Sequence, residues 1–155
     1  MNTITEEAAI KRMAGNCAKS EHSRADAYEK FKRWGFSGKT INGMLDALEA
    51  GGFIDDERFC RSFVNDKFRF NKWGRLKIAQ ALALRKIPSD ITQRYLNEID
   101  EEEYLNILQK LIDTKKRSVQ GKNEWDKEAK LIRFAASRGF EMRYIKQCLG
   151  VSDDE

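Results

Sequence analysis

One pattern of apolar residues occurs three times along this chain of 155 residues, and it constrains the fold more than any other feature. The segments that begin at Phe36, Ile87 and Phe140 align without gaps, at intervals of about 50 residues. In each segment a leucine follows at the same distance, at Leu45, Leu96 and Leu149. A fixed internal period of this kind is typical of proteins built from repeated structural units.

The repeated unit is predicted to be helical. Apolar residues recur at the spacing i, i+3, i+4, i+7 along the whole chain, and no sustained alternation of apolar with polar residues is present. Thr5 and Ser23 lie where helix N-caps are expected, and Gly35 and Gly51–Gly52 lie where helices are expected to end. The sequence therefore predicts an all-α fold without strands.

The period also predicts how the chain is divided. We expect three tandem three-helix repeats at residues 1–53, 54–99 and 100–155. A unit of about 50 residues buries too little apolar surface to be comfortably stable alone, and stacking on a neighbour would supply the missing burial. The repeats are therefore expected to stack into an elongated molecule, curved or straight. The alternative is a single compact helical bundle. Polar residues 118–123 predict a surface loop before the last repeat.

The helical faces predict which apolar side chains are inaccessible to solvent. The expected core residues are Phe31, Phe36, Leu45, Leu48, Phe63, Val64, Leu82, Ile87, Leu96, Leu108, Leu111, Ile132, Phe140, Ile145 and Leu149. Three cysteines lie far apart and lack the spacing of a metal site, so they are interpreted as small buried hydrophobic residues: Cys17, Cys60 and Cys148.

Residues that could carry catalysis do not form a recognisable site. The only histidine, His22, lies beside a predicted helix start without a nucleophile motif. Gly38-Lys39-Thr40 lacks the earlier glycine of a phosphate-binding loop, because Arg33 occupies that position. Carboxylates cluster at residues 55–57 and 98–103, where the positive ends of helices explain them. We therefore predict a protein that is not an enzyme and has no catalytic residues, metal site or cofactor. An enzyme that uses the acidic clusters remains an alternative.

The chain shows no signal for a membrane. No apolar run approaches the roughly 18 to 20 residues that span a bilayer. The acidic, amphipathic start MNTITEEAAIKR is unlike a signal peptide. These features predict a cytoplasmic protein with no membrane partner.

The distribution of positive charge is more informative than the modest net charge of +4. Between Lys67 and Lys86 the chain holds seven basic residues and no acid, and three aromatic residues are interleaved with them. Bases neutralise phosphates and exposed aromatic rings can stack on unpaired bases, so this composition favours a nucleic-acid surface. For Phe68 the helical spacing from Val64 favours the core instead. A second cluster, residues 115–117, is interpreted as basic residues that stabilise a helix C-terminus.

Four strings resemble the RecX family: EHSRADAYEKFKRWGF at 21–36, GGFIDDERFCRSFVNDKF at 51–68, KWGRLKIAQALALRKI at 72–87 and EAKLIRFAASRGFEMRYIKQCL at 128–149. The similarity spans nearly the whole chain in the family's order. The matching motif residues, whose role as scaffold or contact stays open, are Glu21, Ser23, Arg24, Asp55, Asp56, Glu57, Arg58, Phe59, Gly74, Arg75 and Lys77. Lys86 stands where the family commonly has glycine, and Pro88 follows Ile87, so the start of the next helix is expected to differ locally.

The resemblance implies a function. Proteins of this family bind along the groove of the filament that the recombinase RecA forms on single-stranded DNA. They down-regulate strand exchange and ATP turnover in DNA repair, recombination and the SOS response. For this chain the resemblance therefore implies a RecA filament as partner. The basic residues, which can neutralise phosphates, predict weak and sequence-independent binding to single-stranded DNA, and we expect a monomer.

The basic segment and the resemblance together predict the contact residues for DNA or the filament: Arg24, Lys67, Arg69, Lys72, Trp73, Arg75, Lys77, Arg85 and Lys86. Reversing Arg75 and Lys77 to Glu is expected to lower DNA binding without unfolding the protein. The alternative function is that of a stand-alone DNA-binding protein with helix-turn-helix-like modules, which would bind duplex sites with base specificity.

Overall fold

The computed structural model describes residues 4–151, which form nine α-helices joined by turns and loops, without a strand. The helices are α1 (Glu6–Lys19), α2 (Arg24–Arg33), α3 (Gly38–Ala50), α4 (Asp56–Arg69), α5 (Arg75–Leu84), α6 (Ser89–Asn97), α7 (Glu101–Lys116), α8 (Glu124–Ser137) and α9 (Met142–Leu149). The all-α prediction is confirmed. Within these residues no helix has the length and apolar character needed to cross a membrane.

Local side-chain caps explain where several helices begin. Thr5 Oγ1 accepts a hydrogen bond from the Ala8 N–H at 3.1 Å, and Ser23 Oγ accepts one from the Asp26 N–H at 3.0 Å. Both residues were predicted as N-caps from the sequence. Gly38 is the first residue of α3, which agrees with the absence of a phosphate-binding loop motif at Gly38-Lys39-Thr40. The predicted loop at residues 118–123 lies between α7 and α8.

The same turn precedes the third helix of each repeat. Gly35, Lys86 and Gly139 all have positive φ, at 96°, 60° and 96°. The next residue donates its N–H to a carbonyl five positions back in each repeat: Phe36 to Phe31, Ile87 to Leu82 and Phe140 to Ala135, at 3.2, 3.1 and 3.3 Å. The expected local difference at Lys86 is therefore wrong for the backbone, because Lys86 adopts the left-handed conformation that glycine supplies elsewhere.

The chain divides into two compact units. The described part of Met1–Phe63 forms one of them together with Leu82–Ile91. Its core is a cluster of apolar side chains from α1, α2 and α3, centred on Phe31, which is fully buried. Trp34 and Phe36 pack edge-on against Phe31, with ring centroids at 5.7 and 6.3 Å. This unit is thus held by apolar burial around one aromatic side chain.

Val64–Ala81 and the described part of Thr92–Glu155 form the other unit. Its core centres on Tyr104 of α7, whose side chain is fully buried. Phe68, Phe140 and Tyr144 surround the Tyr104 ring at centroid distances of 5.6, 5.1 and 5.3 Å. The division into repeats at residues 1–53, 54–99 and 100–155 stays a prediction, because the compact units follow packing rather than repetition.

Most of the predicted core is confirmed. The buried members are Phe31, Leu45, Leu48, Val64, Leu82, Ile87, Leu96, Leu108, Phe140 and Ile145. The prediction is wrong for five residues that are only half-buried: Phe36, Phe63, Leu111, Ile132 and Leu149. Phe36 packs on the rim of the first unit's core, and the ring of Phe63 lies under the guanidinium of Arg85. Of the cysteines, Cys60 is buried, whereas Cys17 and Cys148 are half-buried.

Candidate nucleic-acid interface

The first residues of α5 are fixed by direct backbone contact with the end of α8. The Gly74 N–H donates to the Arg138 carbonyl at 2.7 Å, and the Leu76 N–H donates to the Gly139 carbonyl at 2.9 Å. A Cβ atom on Gly74 would lie 2.4 Å from backbone atoms of Gly139 and Phe140. Only glycine fits this position. The contact sets where the basic side chains that flank it can project.

Arg75 points into the protein rather than into solvent. Its guanidinium carbon lies 4.0 Å from the centre of the Tyr104 ring, and its Nη1 atom lies 3.3 Å from a Glu141 carboxylate oxygen. The Arg75 N–H donates to the Tyr104 hydroxyl, which in turn donates to Glu141. Burial, reinforced by the bond to Glu141, raises the pKa of Tyr104, so its hydroxyl stays protonated.

These contacts give Arg75 a structural role. They also revise one expectation from the sequence, because replacing Arg75 with Glu would place a carboxylate against Glu141 in a half-buried site. A substitution at Arg75 would therefore change stability as well as charge. Only Lys77 of that pair is suitable for testing DNA binding without unfolding.

Three of the predicted contact residues form a cluster around one indole ring, here named the Trp73 cluster. The Nζ atoms of Lys67 and Lys77 lie 4.9 and 4.5 Å from the centre of the Trp73 ring. All three side chains are partly exposed. The ring's negative face attracts both ammonium groups, so the aromatic side chain holds two positive charges side by side.

The neighbouring residues of the basic segment differ in exposure. Arg69 is exposed and pairs with Glu103, with Nε and Oε1 3.4 Å apart. The Lys72 ammonium group donates to the Arg69 carbonyl, and its backbone has a φ of 58°. Phe68 is buried, as its spacing predicted, whereas Phe70 is 78 % exposed. The basic segment thus combines a buried aromatic anchor with an accessible, positively charged surface.

The remaining predicted residues, Arg24, Arg85 and Lys86, line one groove of about 610 Å³ in the first unit. Arg24 pairs with Asp46 at 3.0 Å and with Glu49 at 2.7 Å. Arg85 pairs with Asp26 at 3.3 Å. Lys86 is exposed. Because the two arginines already have carboxylate partners, the groove offers less positive charge than its basic residues alone indicate.

Two consecutive segments of the chain match models of known three-helix domains. The model of the second three-helix domain of RecX matches residues 55–96, and that of the third matches residues 101–149. A regulatory protein RecX from Prosthecochloris aestuarii is 32% identical over 142 residues, which cover 91% of this chain and 91% of that protein. The chain belongs to the RecX family. Its fold is therefore one of tandem three-helix domains.

Further RecX proteins agree. The regulatory protein RecX of Clostridium tetani is 33% identical over 134 residues, which cover 84% of this chain and 61% of that protein. A crystal structure of a regulatory protein RecX superposes with a TM-score of 0.85 at 19% identity, covering 94% of this chain and 73% of that one. The crystal structure of RecX from Lactobacillus salivarius gives a TM-score of 0.80 at 14% identity, covering 94% of each chain. These structures share the fold.

Several residues of the RecX-like motifs have structural roles in the first unit. Arg58 pairs with Glu21 at 2.8 Å and donates to the Gly52 carbonyl at 3.1 Å. Asp55 Oδ1 accepts from the Arg58 N–H at 3.0 Å, and Asp56 Oδ1 accepts from the Arg24 N–H at 2.8 Å. Burial raises the pKa of Asp56. The acidic string of the family motif therefore joins the starts of α2 and α4.

The sequence interpretation missed one basic surface of this RecX-family chain. In the second unit, the Lys115 ammonium group lies 5.3 Å and the Arg138 guanidinium carbon 5.2 Å from the centre of the Phe134 ring. These three residues and Lys110 line one depression in the protein surface. The basic residues lie on α7 and just after α8, so they form no run in the sequence. The only local signal was the cluster at residues 115–117, which was interpreted as a helix C-cap.

Proposed function

We propose that this chain binds the filament that RecA forms on single-stranded DNA and down-regulates strand exchange and ATP hydrolysis in DNA repair and recombination. Membership of the RecX family supports regulation, since the matched relatives are named regulatory proteins. The Trp73 cluster is the observation that carries the proposed contact with the filament. In this proposal the chain acts in the cytoplasm, as a monomer, and by binding rather than by catalysis.

The Trp73 cluster has the chemistry that such a contact needs. Lys67 and Lys77 place two ammonium groups beside one partly exposed indole. Ammonium groups neutralise phosphates, and an indole can stack on an unpaired base. A filament that carries DNA would meet this positive surface favourably. Complementary charge of this kind acts more through the association rate than through the final affinity.

Tandem domains add avidity to such contacts. A filament presents the same surface many times, so linked domains can make several weak contacts at once, and each bound domain raises the effective concentration of the next. The protein should then act at well below one copy per RecA monomer. A protein that only covers bare DNA would have to coat the strand.

The test follows ATP hydrolysis by preformed RecA filaments while the full chain is titrated in. Wild-type protein should slow phosphate release at substoichiometric ratios, and Lys67→Glu with Lys77→Glu should reduce the effect. Lys11→Glu with Lys39→Glu is the matched control, because it changes net charge equally at two exposed positions in the first unit. Inhibition that requires addition before RecA and strand-covering ratios would favour the stand-alone DNA-binding protein instead.

A further inference from the structure

Two depressions of the second unit share Phe134 in their lining, and together they are named here the Phe134 groove. One has a volume of about 430 Å³, and its basic lining residues are Lys72, Lys110, Lys115 and Arg138. The other, of about 570 Å³, shares Lys115 and Phe134 with the first and adds Lys130 and Arg133. No acidic residue lines either depression. The groove is therefore a concave surface whose charged lining residues are all positive.

The charges on one side of the groove are not neutralised by neighbouring carboxylates. Within residues 4–151, Lys110, Lys115 and Arg138 form no ion pair with an acidic side chain. Lys130, which lines only the second depression, does pair with Asp126 at 3.5 Å. The side formed by Lys110, Lys115 and Arg138 is therefore the part of the groove best able to attract an anion.

The aromatic ring organises these charges. Phe134 is half-buried, and the cationic groups of Lys115 and Arg138 both lie within 5.3 Å of its centre. Such contacts restrain two long side chains that would otherwise move freely in solvent. Fixed charges lose less conformational entropy when a ligand binds, which favours binding at this position.

We propose that the Phe134 groove binds the sugar–phosphate backbone of single-stranded nucleic acid. Surfaces that bind single strands combine a positively charged groove that follows the backbone with aromatic side chains among the charges. Thr114 and Ser118 also line the first depression and bring hydroxyl groups beside the cations. The inference rests on the proposed function only for the choice of a nucleic acid as the source of the phosphates.

Shape decides between the possible sources of phosphate. A flexible single strand can bend into two adjoining concave depressions. The phosphates of a duplex lie on a stiff convex surface, and those of a lipid bilayer lie on a flat one. The groove should therefore discriminate against both, and each serves as a competing ligand in the test.

The test measures the affinity of the full chain for dye-labelled oligothymidylate by fluorescence anisotropy over a series of salt concentrations. The variant Lys110→Gln with Lys115→Gln removes two proposed phosphate contacts. Its plot of log affinity against log salt should be shallower by about 1.4, because each contact on a single strand contributes about 0.7 to the slope. The matched control Lys11→Gln with Lys39→Gln removes the same charge from the first unit and should keep the wild-type slope.

A second variant tests the ring. Phe134→Leu keeps an apolar side chain but removes the aromatic face that holds Lys115 and Arg138, so it should weaken oligothymidylate binding while its helical circular dichroism stays that of wild type. The groove assignment is wrong if the two glutamine pairs change the slope equally or not at all. It is also wrong if duplex DNA or anionic phospholipid vesicles bind more tightly than the single strand.

The RecA assay separates this inference from the proposed function. If wild-type protein leaves ATP hydrolysis by preformed filaments unchanged while the Lys110/Lys115 variant still shows the shallower salt slope, the proposed function fails and the groove remains supported. If wild-type protein inhibits the filaments but the groove variant binds oligothymidylate with the wild-type slope, the groove fails and the proposed function remains supported.

Discussion

Replacing Gly74 with alanine should destabilise the protein through one backbone contact. The new Cβ atom would lie 2.4 Å from Gly139 and Phe140, whereas ordinary contact begins at 3.4 Å, so the two backbones must separate by about 1 Å. That movement stretches the hydrogen bond from Gly74 to Arg138, now 2.7 Å, beyond useful range, and it weakens the neighbouring bond from Leu76 to Gly139.

The size of the effect can be estimated from these losses. Two hydrogen bonds contribute about 1 kcal/mol each, and overpacking costs about 1 to 3 kcal/mol. Against this, alanine lowers the entropy of the unfolded chain, which favours the folded state by about 0.4 to 1 kcal/mol. The free energy of unfolding should therefore fall by about 2 to 5 kcal/mol.

Gly43→Ala is the matched control, because a Cβ atom on Gly43 of α3 meets nothing within 4 Å. Alanine in the interior of a helix is about 1 kcal/mol more favourable than glycine, so this substitution should stabilise the protein. Urea unfolding followed by circular dichroism and by tryptophan fluorescence measures both variants. A Gly74→Ala protein as stable as wild type would show that the contact between α5 and α8 is looser than the structure indicates.

Two further predictions concern stability. Lys86→Gly should raise the free energy of unfolding by about 0.5 to 1 kcal/mol, because the relief of a left-handed lysine at φ 60° outweighs the added entropy of the unfolded chain. Urea unfolding measures this variant beside Gly35→Ala, which should destabilise the protein because it places a side chain at a positive φ. The pKa of Tyr104 is raised in the folded protein, so with rising pH its hydroxyl ionises in the unfolded chain before it ionises in the folded one. The free energy of unfolding should therefore fall as the pH rises above the ordinary tyrosine pKa of 10.0. Tyr104→Phe should lose less stability over that alkaline range, and an equal loss in both proteins would refute the assignment.

Features set by neighbouring residues could be predicted from the sequence. The side chains of Thr5 and Ser23 accept hydrogen bonds from N–H groups three residues ahead, so the presence of a threonine or serine at these positions predicts the helix starts. Phe68 lies one helical turn after Val64, and its burial followed from that spacing. The all-α class depends on many such local signals and was predicted for the same reason.

Contacts between distant parts of the chain could not be predicted in this way. Arg75 lies in a basic segment that is typical of a DNA contact, yet its partner Glu141 lies 66 residues away in sequence, and no local pattern predicts that pairing. The Phe134 groove has the same difficulty, since Lys110 and Arg138 meet only after α7 and α8 have packed. Composition indicated where positive charge is abundant, and tertiary packing determined which of those charges remain accessible.

The contact between Gly74 and Gly139 has a consequence for synthesis on the ribosome. The N–H groups of Gly74 and Leu76, at the start of α5, donate to the carbonyls of Arg138 and Gly139, just after α8, and these two residues are made much later. Because the chain emerges from its N-terminus, α5 leaves the ribosome before its partner exists, and this junction can form only after Arg138 and Gly139 have emerged. The second unit therefore completes its packing late, whereas the first unit has all of its chain available once Ile91 has emerged.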